Sequence, residues 1–90
     1  MADIRVKSVG NDEYEVTVAG AGERTVHRVR VTERDRLQFG REATAERLLE
    51  ESFRFLLERE PPSSILSRFD LPVIGKYFPE YPAEIRKRLG

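Results

Sequence analysis

Along the first forty residues apolar and polar positions alternate: Ile4 and Val6 against Arg5 and Lys7, then Tyr14, Val16 and Val18 against Glu15 and Thr17. A period of two gives a strand one apolar face. Gly10-Asn11-Asp12 and Gly20-Ala21-Gly22 separate these runs with residues suited to the positive φ of tight hairpins, so a three-stranded antiparallel meander is predicted. In the third run, about Arg24 to Val31, Val26 is out of phase with Val29 and Val31. A β-bulge near His27-Arg28 would return all three valines to the core and is expected there. Thr32 with Asp35 matches a capping box, predicting a short helical turn that carries Leu37, with Phe39 as an anchor before Gly40.

The pattern then changes to a helical period. A long helix is predicted from about Ala43 to Glu60, with Thr44 as N-cap and Pro61-Pro62 as the stop. Ala45, Leu48, Leu49, Ser52, Phe53, Phe55, Leu56 and Leu57 cover an arc of about 200° on it, more than one sheet contact needs. The opposite arc carries the i,i+4 pairs Glu50/Arg54, Arg47/Glu51 and Arg54/Glu58 and faces water. The surplus apolar arc requires a second cover, which the remaining residues must supply. Ser63 or Ser64 can cap a short helix to Phe69, Asp70 another to about Phe78, and Pro79 ends that one. Pro82 can open a last helix bearing Ile85 and Leu89, with Arg86, Lys87 and Arg88 in its final turn.

The predicted fold class is therefore α+β: a three-stranded antiparallel meander packed on one long helix, followed by short C-terminal helices. Residues 1–90 form a single domain, divided into the meander with its helical turn (1–40), the long helix (41–60) and short helices wrapping back (61–90).

Composition narrows the chemistry. Charged residues make up 36% of the chain, against about 25% in typical domains, yet the 16 basic and 16 acidic residues cancel. No long-range field is available to gather nucleic acid or anionic lipid unless charges segregate by face. There is no cysteine, and His27 is the single histidine, so neither a disulfide framework nor a Cys/His metal site is expected. No early apolar run reads as a secretory leader and no run of about 20 apolar residues could span a bilayer. A cytoplasmic protein without membrane attachment is the expectation.

Several constellations invite a functional reading and each has a simpler one. His27 lies within a strand with no ligand-spaced partner. Ser63 and Ser64 lack a nucleophile elbow and fit caps better. Gly20-Ala21-Gly22 has Thr25 where a phosphate loop needs its third glycine, and Glu46 with Glu50 offers too few oxygens for a hard cation. No catalytic, cofactor-binding or metal-ligating residue is assigned, and no cofactor is expected. Arg24, Arg28 and Arg30 could form an anion-binding strip on the sheet, although Glu13 and Glu15 on the adjacent strand would neutralise it. The segment from Ile65 to Ile74 has some helix-turn-helix character, but Pro72 heads the supposed recognition helix, and residues 61–90 hold five basic against three acidic residues.

The run Ser52-Phe53-Arg54-Phe55-Leu56-Leu57-Glu58-Arg59-Glu60-Pro61, followed by Ser64-Ile65-Leu66-Ser67-Arg68-Phe69-Asp70-Leu71 and Ile74-Gly75-Lys76-Tyr77-Phe78-Pro79-Glu80-Tyr81, resembles a group of short, uncharacterised bacterial proteins. The resemblance covers the C-terminal half. It implies a soluble bacterial protein and transfers no activity.

The functional expectation is a non-enzymatic protein–protein interaction module, with Tyr77, Phe78 and Tyr81 as the candidate partner-binding residues. They are too closely spaced for all three rings to point inward, and exposed aromatics are favoured interface anchors. The partner is another protein or a second copy of the chain, through this surface or by sheet-edge pairing. The alternative is a nucleic-acid-binding or antitoxin-like regulator, suggested by Arg68, Lys76, Arg86, Lys87 and Arg88 lying near one another in sequence, with phosphate neutralisation as its source of affinity; Lys76, Arg86, Lys87 and Arg88 join the strand arginines as candidate anion-binding residues.

Overall fold

The computed structural model describes residues 3–20 and 22–90. Met1, Ala2 and Ala21, the middle of the second expected turn, lie outside the described residues. Strands β1 (Asp3–Gly10), β2 (Glu13–Gly20) and β3 (Glu23–Arg30) form the antiparallel meander. Asp12 takes φ 59° in the first turn and Gly22 φ 82° in the second, the left-handed region that Asp tolerates and Gly adopts freely.

A fourth strand, β4 (Arg68–Asp70), pairs parallel to β3 and makes the sheet mixed, in the order β1-β2-β3-β4. The helix expected to end at Phe69 is replaced by a 3₁₀ turn (Pro62–Ser64) and this strand. The cause is the exposed edge of β3. Its outward backbone groups take up the returning chain, the Arg28 N–H donating to the Ser67 carbonyl (2.7 Å) and the Leu71 N–H to that of Arg30 (3.0 Å). Neither Ser63 nor Ser64 caps a helix, and Asp70 stands in β4.

The expected bulge at His27-Arg28 is absent. Pairing of β2 with β3 runs without a shift from Glu13↔Arg30 to Gly20↔Glu23, and Val26 faces outward, 49% exposed. His27 takes the inward position between Thr25 and Val29 and is buried. Leaving one valine half-exposed costs less than the ladder bonds and β4 pairing that a bulge would disrupt. The irregularity falls instead in β1, between Ser8 and Gly10.

Thr32 makes the expected capping box with Asp35, starting α1 (Glu33–Asp35), which continues into a single wide π-type turn over Arg36–Gly40. Phe39 is buried, while Leu37 is 55% exposed. The long helix α2 (Ala45–Leu57) is capped by Thr44, whose hydroxyl accepts from the Arg47 N–H, and ends three residues before the expected Glu60. Its two flanks have separate partners. Phe53 packs toward the sheet, its ring 5.3 Å from His27 and 6.2 Å from Phe69. Phe55, on the other flank, lies 5.9 Å from Phe78 and 5.4 Å from Tyr81. Helix α3 (Val73–Tyr77) is headed by Pro72 without a side-chain cap, and α4 (Tyr81–Leu89) follows with Pro82 in its first turn. Tyr81 and Ile85 of α4 are fully buried, so the C-terminal residues shield the side of α2 that the sheet leaves bare. Gly40 sits where a Cβ would come 3.3 Å from Leu48 Cδ2, which lets the π turn approach α2.

Candidate functional site

The three aromatics expected to bind a partner have different fates. Tyr81 is fully buried, which corrects its assignment as an interface anchor: its ring completes the core and offers no surface. Its hydroxyl lies 2.7 Å from Ser52 Oγ, which in turn donates to the Leu48 carbonyl at 2.6 Å. Since that carbonyl only accepts, Ser52 has spent its proton and Tyr81 Oη–H donates to Ser52 Oγ. Burial pushes the Tyr81 phenol pKa well up, against a smaller lowering by the Ser52 bond. Phe78 is half-buried against Phe55. Tyr77 is 67% exposed, the most open of the large apolar side chains among the described residues.

Beside Tyr77 runs a groove of about 470 Å³ between the end of α2, residues 64–66 and α3. Leu56, Ile65, Phe69 and Ile74 form its floor, all buried, and Leu66, 46% exposed, stands on its rim with Tyr77. The geometry has local causes. Pairing of β4 with β3 and the short link Leu71-Pro72 bring α3 back toward α2, and His27 fixes the wall opposite. Its Nδ1 donates to the Leu66 carbonyl (2.9 Å), because a carbonyl cannot donate, and its Nε2 accepts from the Thr25 hydroxyl (2.9 Å). Sequence reasoning missed Leu66 as a rim residue and His27 as its tether. The signal available was the phase of His27 with Val29, outweighed by that of Val26.

The basic candidates do not converge as a set; of them only Arg86 and Lys87 share a cleft. Arg24, Arg28 and Arg30 lie on the outer sheet face, opposite Ala19, Glu15 and Glu13 of β2, and Arg28 reaches Glu15 at 4.0 Å. Lys76 is exposed on α3, away from them. Arg86 donates to the Gln38 carbonyl (3.2 Å). Arg88 is corrected as an anion-binding residue because its charge is used internally: it pairs with Glu58 at 2.6 Å and Glu84 at 3.4 Å, leaving its side chain 18% exposed. Its hydrogen bond holds the Glu58 carboxyl below the usual range. Arg59 completes this clamp, 3.6 Å above the Phe55 ring and paired with Glu80 at 3.2 Å. Lys87 lines a larger, more polar cleft of about 630 Å³ with Arg41, Glu42 and Arg86 at the end of α4. Three cations meet there, opposed by Glu42 and by the negative end of the α4 dipole.

Among the described residues no group of three or more His, Asp or Glu could hold a metal ion, and no helix is long and apolar enough to cross a membrane. In comparisons with known proteins, no family model, no curated protein and no solved structure matches this chain. The resemblance to short bacterial proteins therefore rests on the residues quoted for it.

Proposed function

We propose that the chain is a non-enzymatic protein-interaction module that takes an apolar side chain of a partner protein into the groove beside Tyr77. One observation carries this reading: a concave apolar floor whose rim residues, Leu66 and Tyr77, are exposed to solvent. Large exposed apolar groups around a pocket are costly in isolation and are typical of interface hot spots. Tyr77 adds a hydroxyl that can stay wet while the ring is covered. Ser64 and Glu60 also line the groove, and no hydrogen bond joins their side chains.

The test is site-specific photocrosslinking in the native host, with a benzophenone amino acid at position 77 and, as control, at the exposed Leu37, which does not line the groove. A discrete adduct at 77 and none at 37 is expected. The purified partner should then bind the L66S/Y77S variant at least about tenfold more weakly than the parent, the scale of a lost anchor. Equal adducts at both positions, or equal affinity of parent and variant, would refute the reading.

A further inference from the structure

We infer that the free edge of β1 is a second, independent interface, and that its occupant is the β1 strand of a second copy of this chain, paired antiparallel about Arg5. The ladder fixes which backbone groups are available. Arg28 and Arg30 turn theirs toward β4, so Thr25, His27 and Val29 turn theirs toward β2, since the direction alternates along a strand. Following the observed pairs, Glu15 and Thr17 of β2 face Lys7 and Arg5 of β1. The N–H and C=O groups of Ile4, Val6 and Ser8 consequently point out of the sheet. Among the described residues no strand pairs with them.

A two-fold pair that uses these groups can centre on Ile4, Arg5, Val6 or Lys7, and the last sets the two Lys7 side chains against each other. Centring on Val6 places Arg5 opposite Lys7 of the other copy, a like-charge contact. Centring on Ile4 sets Asp3 opposite Arg5 but puts Val6 and Lys7 opposite positions 2 and 1, outside the described residues, and so forms fewer ladder pairs within the strand. Centring on Arg5 sets Ile4 opposite Val6 and Asp3 opposite Lys7, twice over by symmetry. On the outer face this continues an existing alternation, since Arg28, Glu15 and Lys7 already stand side by side across β3, β2 and β1, and the other copy's Asp3 follows. On the inner face Ile4 and Val6 are only half-buried, unlike Val16 and Val18 beside them. The apolar row Val18-Ile4 would run on into Val6-Val16 of the second copy. The two Arg5 side chains meet at the axis, each already paired with its own Asp3 at 3.0 Å, which offsets their repulsion. Pairing over so few residues buries less than the roughly 1,200–2,000 Å² of a stable interface, so the dimer is weak and the protein passes from monomer to dimer with concentration.

Sedimentation velocity over a wide concentration range, up to about 1 mM protein, tests this on the full chain. The parent should show a monomer–dimer equilibrium. D3K and K7D each replace two attractive contacts by two repulsive ones, and each alone should self-associate about tenfold more weakly. Mixed in equal amounts, they restore both attractions, and association should return to within about threefold of the parent. V6P removes an outward donor that β2 does not use and should abolish the dimer with an unchanged circular dichroism spectrum. Should V6P unfold, the mixing experiment still decides. A parent that stays monomeric throughout, single variants that associate like the parent, or a dimer lost in L66S/Y77S but kept in the D3K and K7D variants would each overturn the inference. The last would assign self-association to the groove.

Discussion

The hydroxyl pair between Ser52 and Tyr81 is the sharpest point at which to perturb this fold, because both side chains are fully buried and Ser52 Oγ is the sole acceptor of the Tyr81 hydroxyl. Removing one member is not equivalent to removing the other. Ser52→Ala leaves the Tyr81 O–H without an acceptor, at about 1–3 kcal/mol for an orphaned buried donor, while the gain in helix propensity returns about 0.5 kcal/mol. A net loss of about 1–2 kcal/mol follows. Tyr81→Phe removes the donor but leaves Ser52 bonded to the Leu48 carbonyl at 2.6 Å, so the loss is about 1 kcal/mol. The double variant has no unsatisfied group and only a hydroxyl-sized void, and should lie within about 1 kcal/mol of the parent. The cycle thus predicts a coupling of about 1–2 kcal/mol, set against a total stability of roughly 5–13 kcal/mol for a chain of this length. Urea unfolding of the four proteins, with m-values compared, measures it. Losses that add to within about 0.3 kcal/mol would refute the assigned bond.

The same residue sets an alkaline limit. Burial raises the Tyr81 phenol above its ordinary value, so above pH ~10 the unfolded chain loses a proton that the folded chain keeps. Its stabilising contribution is full below that pH and is lost as pH rises toward the folded pKa, at up to about 1.4 kcal/mol per pH unit. Tyr14, raised by burial and then by the charge of Glu46, acts in the same direction. Tyr81→Phe should make the fall between pH 10 and 11.5 shallower; an unchanged slope would show that the phenol does not report burial.

Glu33, Glu58 and Glu80 have carboxyls held below the glutamate value of 4.5, the first two by hydrogen bonds from Arg36 and Arg88, the third by its own backbone amide and then Arg59. Their contribution is present above that value and lost as pH falls through the folded pKa values, so Glu58→Gln should flatten the dependence of Tm between pH 5 and about 3. Replacing Gly40 by Ala brings a Cβ to 3.3 Å from the fully buried Leu48 and should cost about 1 kcal/mol or more in urea unfolding. His27→Ala frees the Leu66 carbonyl and opens space beside Phe53, costing about 2–4 kcal/mol. Hydrogen exchange should then rise at Arg28 and Leu71 more than at the centre of α2. Most of the cations are dispersed or internally paired, and the one cleft that gathers Arg41, Arg86 and Lys87 also holds Glu42, so a mobility-shift titration at low ionic strength should show no binding of duplex or single-stranded nucleic acid.

What could be read from the sequence follows the range of the interaction that decides each feature. Thr44, the Thr32/Asp35 box and Pro82 act within one turn of chain, and they mark α2, α1 and α4 in the sequence. The meander is equally local, since Tyr14, Val16 and Val18 alternate and Asp12 and Gly22 close its turns. The width of the apolar arc on α2 also announced a second cover, although which residue covered which flank depended on packing. Non-local pairing explains the failures. Residues 61–70 carry helix-compatible spacing, yet an unpaired edge of β3 offers backbone partners that no local count includes, and Ser67 and Leu71 accept that offer. His27 illustrates the same competition. An isolated strand gives no reason to bury an imidazole in preference to Val26; the reason lies in the Leu66 carbonyl, thirty-nine residues away. That one bond also holds the wall of the groove, so the feature that misled the reading of β3 is the feature that shapes the proposed site. Tyr81 shows the converse: its spacing from Tyr77 and Phe78 gave no means of telling which ring stays outside, whereas the acceptor at Ser52 favours Tyr81 inside and Tyr77 is the ring left exposed.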